Sequence, residues 1–295
     1  MRAFVSDGRP FCRREDLCNI LQAFFTPVAF FLPYFLSLSV TELAAYILAL
    51  IAFNGSANYL LHLHVHHPFT ASRGFNLLLD LILGATTGIT ASNWRIQHVY
   101  GHHCRRDEYY RAPSFDVSAG FSGRRALAFC WRSMWPTIVG PFRESYEKGI
   151  LGRIEKPIDY RWAFVEHCLY LAFVGALFVW RPWLTLGFVL PWHFSVFFFT
   201  RYVDFLNHCG CEESSNNPFV IANNTTHPVF NRRSGNLGYH TAHHLNPTVH
   251  WSKLPALHRQ IEKNIPPQLI TGVSWSFLHF PLHALRGVRW SGGSL

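Results

Sequence analysis

Charged side chains are scarce in this sequence. Asp, Glu, Lys and Arg make up 15% of the residues, well below the roughly 25% that is usual in soluble globular domains. Apolar types make up 49% and Phe, Trp and Tyr 16%. This composition argues against an ordinary soluble domain and predicts a membrane protein. The formal net charge is +9, but no basic stripe coincides with a nucleic-acid-binding motif, so no nucleic-acid partner is expected.

Paired cysteines are also lacking. The seven cysteines are scattered and form no CxxC pair, which argues against a disulfide scaffold and a thiolate zinc site. The closest two, Cys209 and Cys211, are separated by one glycine. The chain has neither the His-Glu-x-x-His pattern of zinc proteases nor the Glu-x-x-His pattern of soluble di-iron bundles. A metal site in this chain therefore needs another set of ligands.

Four apolar runs approach the roughly 20 residues that a helix needs to cross a bilayer. They cover residues 19–40, 42–61, 163–180 and 184–199. Residues 62–162 contain 13 Lys or Arg residues, and the positive-inside rule places such a loop in the cytoplasm. We therefore predict a single all-α, multi-pass membrane domain over residues 1–295, with two helical hairpins. Both termini and a helical cap, formed by residues 62–162 and 201–295, are expected on the cytoplasmic side.

A fifth apolar run, residues 75–89, is too short for a regular span and contains Asp80. We interpret it as an in-plane or partly inserted helix. Were it a true span, His98 would lie on the opposite side of the membrane from His62, and the two could not share a site. The parity of the spans and a common histidine site therefore support each other.

Histidines are abundant, and most of them fall in three clusters. The cluster positions with helical spacing are His62 and His66; His98, His102 and His103; and His240, His243 and His244. Residues three or four apart share one face of a helix, so each cluster can aim several imidazoles at one point. Eight such histidines exceed the three or four of one zinc site, which indicates two metal ions. Imidazole suits iron, copper and zinc alike, so the ligands alone leave the metal open.

The clusters also carry a family resemblance. Their order, their placement after paired apolar spans, and the ending His-His-Leu-Asn-Pro followed by Trp251 and Leu254-Pro255 resemble the integral-membrane fatty acid desaturase and hydroxylase superfamily over roughly residues 20–260. The resemblance implies two non-haem iron ions that use dioxygen and external electrons to attack an unactivated C–H bond of a fatty acyl or alkyl chain. The implied ligands are His62, His66, His98, His102, His103, His240, His243 and His244.

A ninth ligand follows from the same resemblance. Asn207-His208-Cys209-Gly210 resembles an Asn…His-Tyr-Gly motif of the alkane hydroxylase branch, which implies that His208 binds metal. The spacings His-xxx-His and His-xxx-His-His are also closer to that branch, whereas Leu245 and the Leu-Pro after the third cluster are closer to the desaturases. His67 would replace His66 if the longer desaturase spacing applied to the first cluster.

The expected function is that of a fatty acid desaturase. Alkane or fatty acid hydroxylation and oxidative decarboxylation to a terminal alkene are alternatives within the superfamily, and the spacings do not choose among them. A membrane metal transporter or sensor is an alternative from another class. Transporters place polar ligands near the bilayer midplane, whereas these clusters lie at predicted cytoplasmic helix ends, which disfavours transport.

Electrons must come from outside the chain. The sequence has no His-Pro-Gly-Gly of a fused cytochrome b5 and no paired CxxC motifs of a fused rubredoxin. We therefore expect a separate donor of the ferredoxin, rubredoxin or cytochrome b5 type, beside membrane lipid and the fatty substrate. Arg105, Arg106, Arg124 and Arg125 are expected to attract anionic lipid headgroups, and an acidic donor or acyl carrier is the alternative.

Other polar residues are expected to have structural roles. His64 points away from the face that carries His62, so it should support the fold or the other histidines. His167 and His193 lie alone in apolar spans and are each expected to be satisfied by a helix neighbour. No ligand spacing includes His227, His250, His258, His279 or His283. The overlapping glycosylation sequons at Asn223 and Asn224 are expected to stay unmodified on the cytoplasmic side.

Overall fold

The computed structural model describes residues 12–54, 57–105, 121–152, 158–212 and 215–275, and most of them are helical. The α-helices are α1 Leu17–Phe31, α2 Val40–Asn54, α3 Ala57–His66, α4 Arg73–Thr87, α5 Ala91–Trp94, α6 Gly123–Ser145, α7 Tyr160–Trp180, α8 Pro182–Leu184, α9 Leu190–His208, α10 Pro228–Ser234, α11 His240–Leu245 and α12 Leu254–Ile261. Three π-helices cover Arg95–Arg105, Tyr146–Ile150 and Thr185–Val189. Short 3-10 helices cover Arg14–Asp16, Leu32–Tyr34, Trp251–Lys253, Glu262–Asn264 and Pro267–Leu269. Two short strands, β1 Asn224–Thr225 and β2 Ile270–Thr271, pair in parallel. The predicted all-α class is confirmed.

Three helical stretches of the described chain are long and apolar enough to cross a membrane. They are Arg14–Tyr34, Tyr160–Trp180 and Pro182–His208, and they correspond to the first, third and fourth predicted spans. A fourth crossing is possible if Arg73–Thr87 and Ala91–His103, which meet at 90°, form one broken span. These helices confirm a multi-pass membrane protein.

The second predicted span, residues 42–61, is described only in part. Its residues fall in two helices, α2 and α3, and its longest apolar part, Val40–Ile51, is shorter than the other spans. Residues 55 and 56 lie outside the described residues, so the second span stays a prediction.

The chain divides into two compact units. The first consists of Met1–Tyr100 and Ile138–Phe197, and the second of Gly101–Thr137 and Phe198–Leu295. Each unit therefore draws on separate stretches of the chain. The single domain over residues 1–295 stays a prediction.

The core of the first unit is aromatic and includes Phe30, Tyr34 and Phe188. At one end of this core, Arg181 closes the turn after α1. Its Nη1 donates to the backbone oxygens of Pro33 (3.1 Å), Tyr34 (3.0 Å) and Leu36 (2.9 Å). The guanidinium thereby satisfies carbonyls that the end of a helix leaves without partners.

A sharp bend joins α4 to α5 in the first unit. Gly88 has a φ of +78°, and a Cβ at this position would lie 2.5 Å from Cβ of His193. His193 bonds through Nδ1 to the hydroxyl of Tyr170 (2.9 Å) and through Nε2 to the carbonyl of Ala85 (3.0 Å). His193 thus has its partners on two neighbouring helices, α4 and α7, which the bend brings to its ring.

The lone histidine His167 behaves as expected. Its Nδ1 bonds to the carbonyl of Ala163, one turn earlier in α7. His167 in α7 therefore forms its hydrogen bond within its own helix, whereas His193 in α9 takes its partners from elsewhere in the first unit.

In the second unit, α11 packs with α12 through a small apolar core. Ala242 and Leu254 are buried there, together with Ile261 and Leu269. The parallel pairing of β1 with β2 places Asn224 opposite Ile270. This core fixes the short helix α11, which is too short to be stable by itself.

Candidate metal centre

Three predicted ligands meet in the first unit. His62 and His66 lie one turn apart on α3, and His98 lies on the π-helix Arg95–Arg105. The ring centroids are 4.7 Å apart for His62 and His66, 4.5 Å for His62 and His98, and 5.2 Å for His66 and His98. One ring nitrogen from each lies within 4.8 Å of the others. The three imidazoles are therefore close enough to bind one ion.

The second histidine cluster lies on a π-helix rather than on the α-helix assumed by the spacing argument. Hydrogen bonds from i to i+5 widen each turn beyond the 3.6 residues of an α-helix. His102 and His103 lie four and five residues after His98, one just before and one just after a full π-helical turn. The wide turn therefore suits a His-xxx-His-His spacing better than an α-helix does, and π-helices are frequent at functional sites.

Trp94 covers the histidine group of the first unit. It is buried, and its ring lies 5.7 Å from the ring of His62 and 5.1 Å from that of His98. A large apolar ring at this place keeps water from the imidazoles.

His64, on the opposite face of α3, is structural as predicted by its spacing. Its Nδ1 accepts the backbone N–H of Phe69 at 3.3 Å, so Nε2 carries the proton. That Nε2 lies 3.3 Å from Oδ1 of Asp80 and 3.2 Å from the carbonyl of Asn76. Asp80 also receives two bonds from Arg95, from Nη1 to Oδ2 at 2.9 Å and from Nη2 to Oδ1 at 2.8 Å. Asp80 thus links the helix of the first cluster to the segment that leads to His98.

A second buried carboxylate holds the same segment from α7. Glu166 accepts the backbone N–H of Ala91 at 3.0 Å and that of Ser92 at 3.1 Å. These amides open the short helix α5, where a carboxylate is favoured by the exposed N–H groups and the helix dipole. Glu166 is 1% exposed, so its hydrogen bonds are shielded from solvent.

Four predicted ligands meet in the second unit. They are His102 from the π-helix, His208 at the end of α9, and His240 and His244 from α11. The Nε2 atoms of His102 and His244 are 3.1 Å apart, those of His244 and His240 3.1 Å, and those of His240 and His208 3.3 Å. Four Nε2 atoms therefore converge on one point.

The convergence fits a metal better than it fits hydrogen bonds. Each Nε2 has one N–H or one lone pair, yet the Nε2 atoms of His244 and His240 each lie within 3.3 Å of two others. Ligand nitrogens at about 2.1 Å from a metal ion would be about 3.0–3.4 Å apart at angles between 90° and tetrahedral. The observed separations fall in that interval.

His208 is oriented by its other ring nitrogen. Its Nδ1 donates to the backbone carbonyl of Ile221 at 3.0 Å, which leaves the lone pair on Nε2. Metal-binding histidines commonly fix their tautomer in this way. The structure therefore places His208 with three cluster histidines, in the geometry of a ligand.

His243 and His103 also belong to the histidine clusters of the second unit. Their ring centroids are 4.5 Å apart, and the ring of His103 lies 4.6 Å from that of His244. Burial lowers the pKa of His243 to about 3, so its imidazole is neutral near pH 7, as a metal ligand must be. Seven of the nine predicted ligands fall in histidine groups within one unit that could hold a metal ion, whereas His67 falls in none of the groups found among the described residues. The structure thus favours His66 over His67.

Several residues that hold the site were not identified from the sequence. In the sequence, Asp80 interrupts an apolar run, and a carboxylate in such a run is itself a signal of function. Glu166 offered the same signal. Of the four arginines expected at the basic surface, Arg124 is exposed and Arg125 is half-buried. The side chains of Arg105 and Arg106, like His279 and His283, lie outside the described residues.

The helices and the buried histidine groups define a multi-pass membrane protein with histidines placed so that they could hold a metal ion. The sequence profile of the fatty acid desaturase family matches residues 37–275. The chain belongs to the fatty acid desaturase family, which makes it an oxidoreductase of the desaturase and hydroxylase superfamily. The resemblance seen in the histidine clusters is confirmed. No curated protein sequence gives a significant match.

Proposed function

We propose that the chain is an oxygen-dependent fatty acid desaturase that binds two non-haem iron ions. The convergence of the Nε2 atoms of His102, His208, His240 and His244 carries this proposal. Iron, when bound, would supply the activation of dioxygen for attack on an unactivated C–H bond of a fatty acyl chain. The side chains would bind the ions, orient the ligands and exclude water.

The imidazoles would hold the ions in a neutral, desolvated setting. The N–H of His208 is directed to a carbonyl, and burial keeps His243 uncharged. Trp94 shields the group of the first unit from water. A dry, rigid site of this kind decides which carbon of a bound chain is exposed to reaction and limits side reactions with water.

The orientation in the membrane and the electron supply are part of the proposal. The 13 Lys or Arg residues of residues 62–162 favour a cytoplasmic position for the histidine clusters and both termini. A separate ferredoxin, rubredoxin or cytochrome b5 would deliver electrons there. The exposed Arg124 suits contact with anionic headgroups.

Hydroxylation or terminal-alkene formation is the second candidate. Two observations favour it: the four-residue spacing of His62 and His66, and the placement of His208 with the cluster histidines. Both features resemble the alkane hydroxylase branch. Desaturation, hydroxylation and terminal-alkene formation would all begin at a C–H bond of the chain, so the products distinguish the candidate functions.

Product analysis tests the proposal. A host that supplies an electron donor would express the chain and be fed fatty acids and alkanes, and its lipids and volatiles would be compared by mass spectrometry with those of His244→Ala. His258→Gln is the matched control, because His258 is a buried histidine outside the candidate metal groups of the described residues. We expect a new double bond with the wild type and the control only. A hydroxyl or terminal alkene would select the second candidate, and iron flux into vesicles without any product would contradict both.

A further inference from the structure

The buried segment 221–225 joins two ligand-bearing elements of the second unit. It follows α9, which ends at His208, and its side chains reach the start of α11, which carries the third histidine cluster. All five of its residues are buried, and Asn223 and Asn224 are 1% and 0% exposed. Two adjacent amide side chains without solvent contact need internal partners, and both find them at the ligand-bearing elements.

Asn223 closes the end of α9. Its Nδ2 donates to the carbonyls of Leu206 (2.9 Å) and Cys209 (2.8 Å), on either side of His208, and its backbone N–H donates to the carbonyl of Asn207 (2.7 Å). These bonds satisfy carbonyls that the helix end leaves open. They also fix the neighbouring Ile221, whose carbonyl accepts the Nδ1 proton of His208.

Asn224 holds the start of α11. Its Oδ1 accepts the backbone N–H of Thr241 at 3.0 Å, and its Nδ2 donates to Oγ1 of Thr241 at 2.7 Å. The same Oγ1 donates to the carbonyl of Ala222 at 3.1 Å. Thr241 follows His240 directly, so these bonds set the rotation of the helix that presents His240 and His244.

We propose that Asn223 and Asn224 are positioning residues that set the metal ligands of the second unit, Asn223 through His208 and Asn224 through α11. This inference rests on the proposed function, because it gives the histidines a metal to hold. It also assigns a role to the two sequons, since both amide nitrogens are engaged inside the folded protein and neither is accessible to a glycosyl group.

Metal binding by the full chain in detergent tests the assignment without using turnover. Iron per chain and the competition affinity for Co(II) would be measured for Asn223→Ala and Asn224→Ala. The absorption spectrum of bound Co(II), which reports its coordination, would be recorded alongside. Asn76→Ala is the matched control, because the Asn76 side chain makes three hydrogen bonds to Thr70 and none to a histidine.

We expect both Asn variants to lose about 10-fold to 100-fold in metal affinity, as is typical when partners behind metal ligands are removed. Asn223→Ala should also shift the Co(II) spectrum in the direction of His208→Ala. The Asn76→Ala control should bind metal as the wild type does. If an Asn variant does not fold, Thr241→Val gives a milder test, since it removes only the hydrogen bonds of the hydroxyl group. Its control is Thr87→Val, which changes a buried threonine on α4. Thr241→Val should weaken metal binding several-fold relative to this control.

The outcomes separate the inference from the proposed function. The positioning role would be overturned if both Asn variants and Thr241→Val had the same metal affinity and Co(II) spectrum as the controls. The proposed function would still stand. A wild-type chain that binds metal but yields no oxidised product would contradict the function alone. A wild-type chain that binds neither iron nor cobalt would overturn both.

Discussion

Buried charges hold the histidine segments of the first unit, whereas neutral groups hold those of the second. In the first unit, Asp80 bonds to His64 and Arg95, and Glu166 caps α5. In the second, the contacts described for His208 and α11 come from the amides of Asn223 and Asn224 and from a backbone carbonyl. The second unit does contain a buried ion pair, Arg201 with Asp204 at 3.6 Å, but both of its members lie on α9.

The difference predicts different responses to substitution. A partly buried charge that loses its partner cannot regain solvation, and breaking a buried ion pair costs about 3–5 kcal/mol. When a neutral buried group loses one hydrogen bond, the free energy of unfolding falls by about 1–3 kcal/mol. The first unit should therefore be the more sensitive to single changes, and its sensitivity should be relieved when both charges are removed together.

The largest effect is expected from removing a ligand of one unit. His66→Ala should abolish turnover and lower bound iron from two ions per chain to one, because the first unit loses one of its three converging imidazoles. His67→Ala should retain both ions. Iron analysis and Mössbauer spectroscopy of ⁵⁷Fe-loaded protein would check this, with His244→Ala as the corresponding variant in the second unit. Loss of both ions in either Ala variant would show that the two sites are not independent.

The next largest effect concerns the charges of the first unit. Asp80→Asn should lower the free energy of unfolding by about 2–3 kcal/mol, less than for a fully buried pair because the Arg95 side chain is 29% exposed. Denaturant unfolding in detergent would measure it. The matched control is Glu147→Gln, which breaks the exposed pair of Arg143 and Glu147 and should cost about 0.5 kcal/mol or less.

The double variant sharpens the same comparison. Asp80→Asn combined with Arg95→Gln should recover part of the lost stability, since no unpaired charge remains. If the double variant is less stable than Asp80→Asn alone, the charges matter through packing rather than through their pairing.

A smaller effect is expected at the other carboxylate. Glu166→Gln leaves one side-chain oxygen for two backbone amides, so one N–H loses its acceptor at a cost of about 1–2 kcal/mol. Hydrogen exchange at Ala91 and Ser92 should accelerate in this variant. Asp159→Asn, at the exposed start of α7, should leave exchange at both amides unchanged, and equal protection in wild type and Glu166→Gln would rule out the cap.

The smallest effect is a dependence on pH in the second unit. Burial, which outweighs the opposite influence of Glu262, lowers the pKa of His258 below its usual 6.5. The unfolded chain therefore binds a proton that the folded chain does not, and stability falls as the pH drops below about 6.5. His258→Phe, which keeps a ring next to Tyr239, should flatten this fall by less than about 1.4 kcal/mol per pH unit. Thermal unfolding of metal-free protein between pH 7 and 5 would measure the slope, and equal slopes would contradict the prediction.

Much of the site followed from the sequence because the information is local. Histidines three to five residues apart define their own grouping once a helix is assumed, and seven of the nine predicted ligands lie close together within one or the other unit. The long apolar runs over α7 and α9 predicted membrane-spanning helices just as directly. The π-helix was not foreseen, because the residue types that form it are the same as those of an α-helix.

The supporting residues could not be predicted, because their roles depend on contacts across long stretches of chain. Glu166 reaches amides 74 and 75 positions away, and Asn224 reaches Thr241 across 17. In sequence, Asn223 and Asn224 resemble surface sequons. Only the fold shows that both are buried.

The close contact between Gly88 and His193 also bears on the order of assembly. The ribosome makes Gly88 and the bend after α4 long before it makes His193, which must then enter against a backbone that has no clearance for a methyl group. A side chain at position 88 would act twice, because it would strain the bend at a φ of +78° and would then meet His193 when α9 packs against the bend. One glycine thus couples the shape of an early helix pair to the packing of a helix that is made much later.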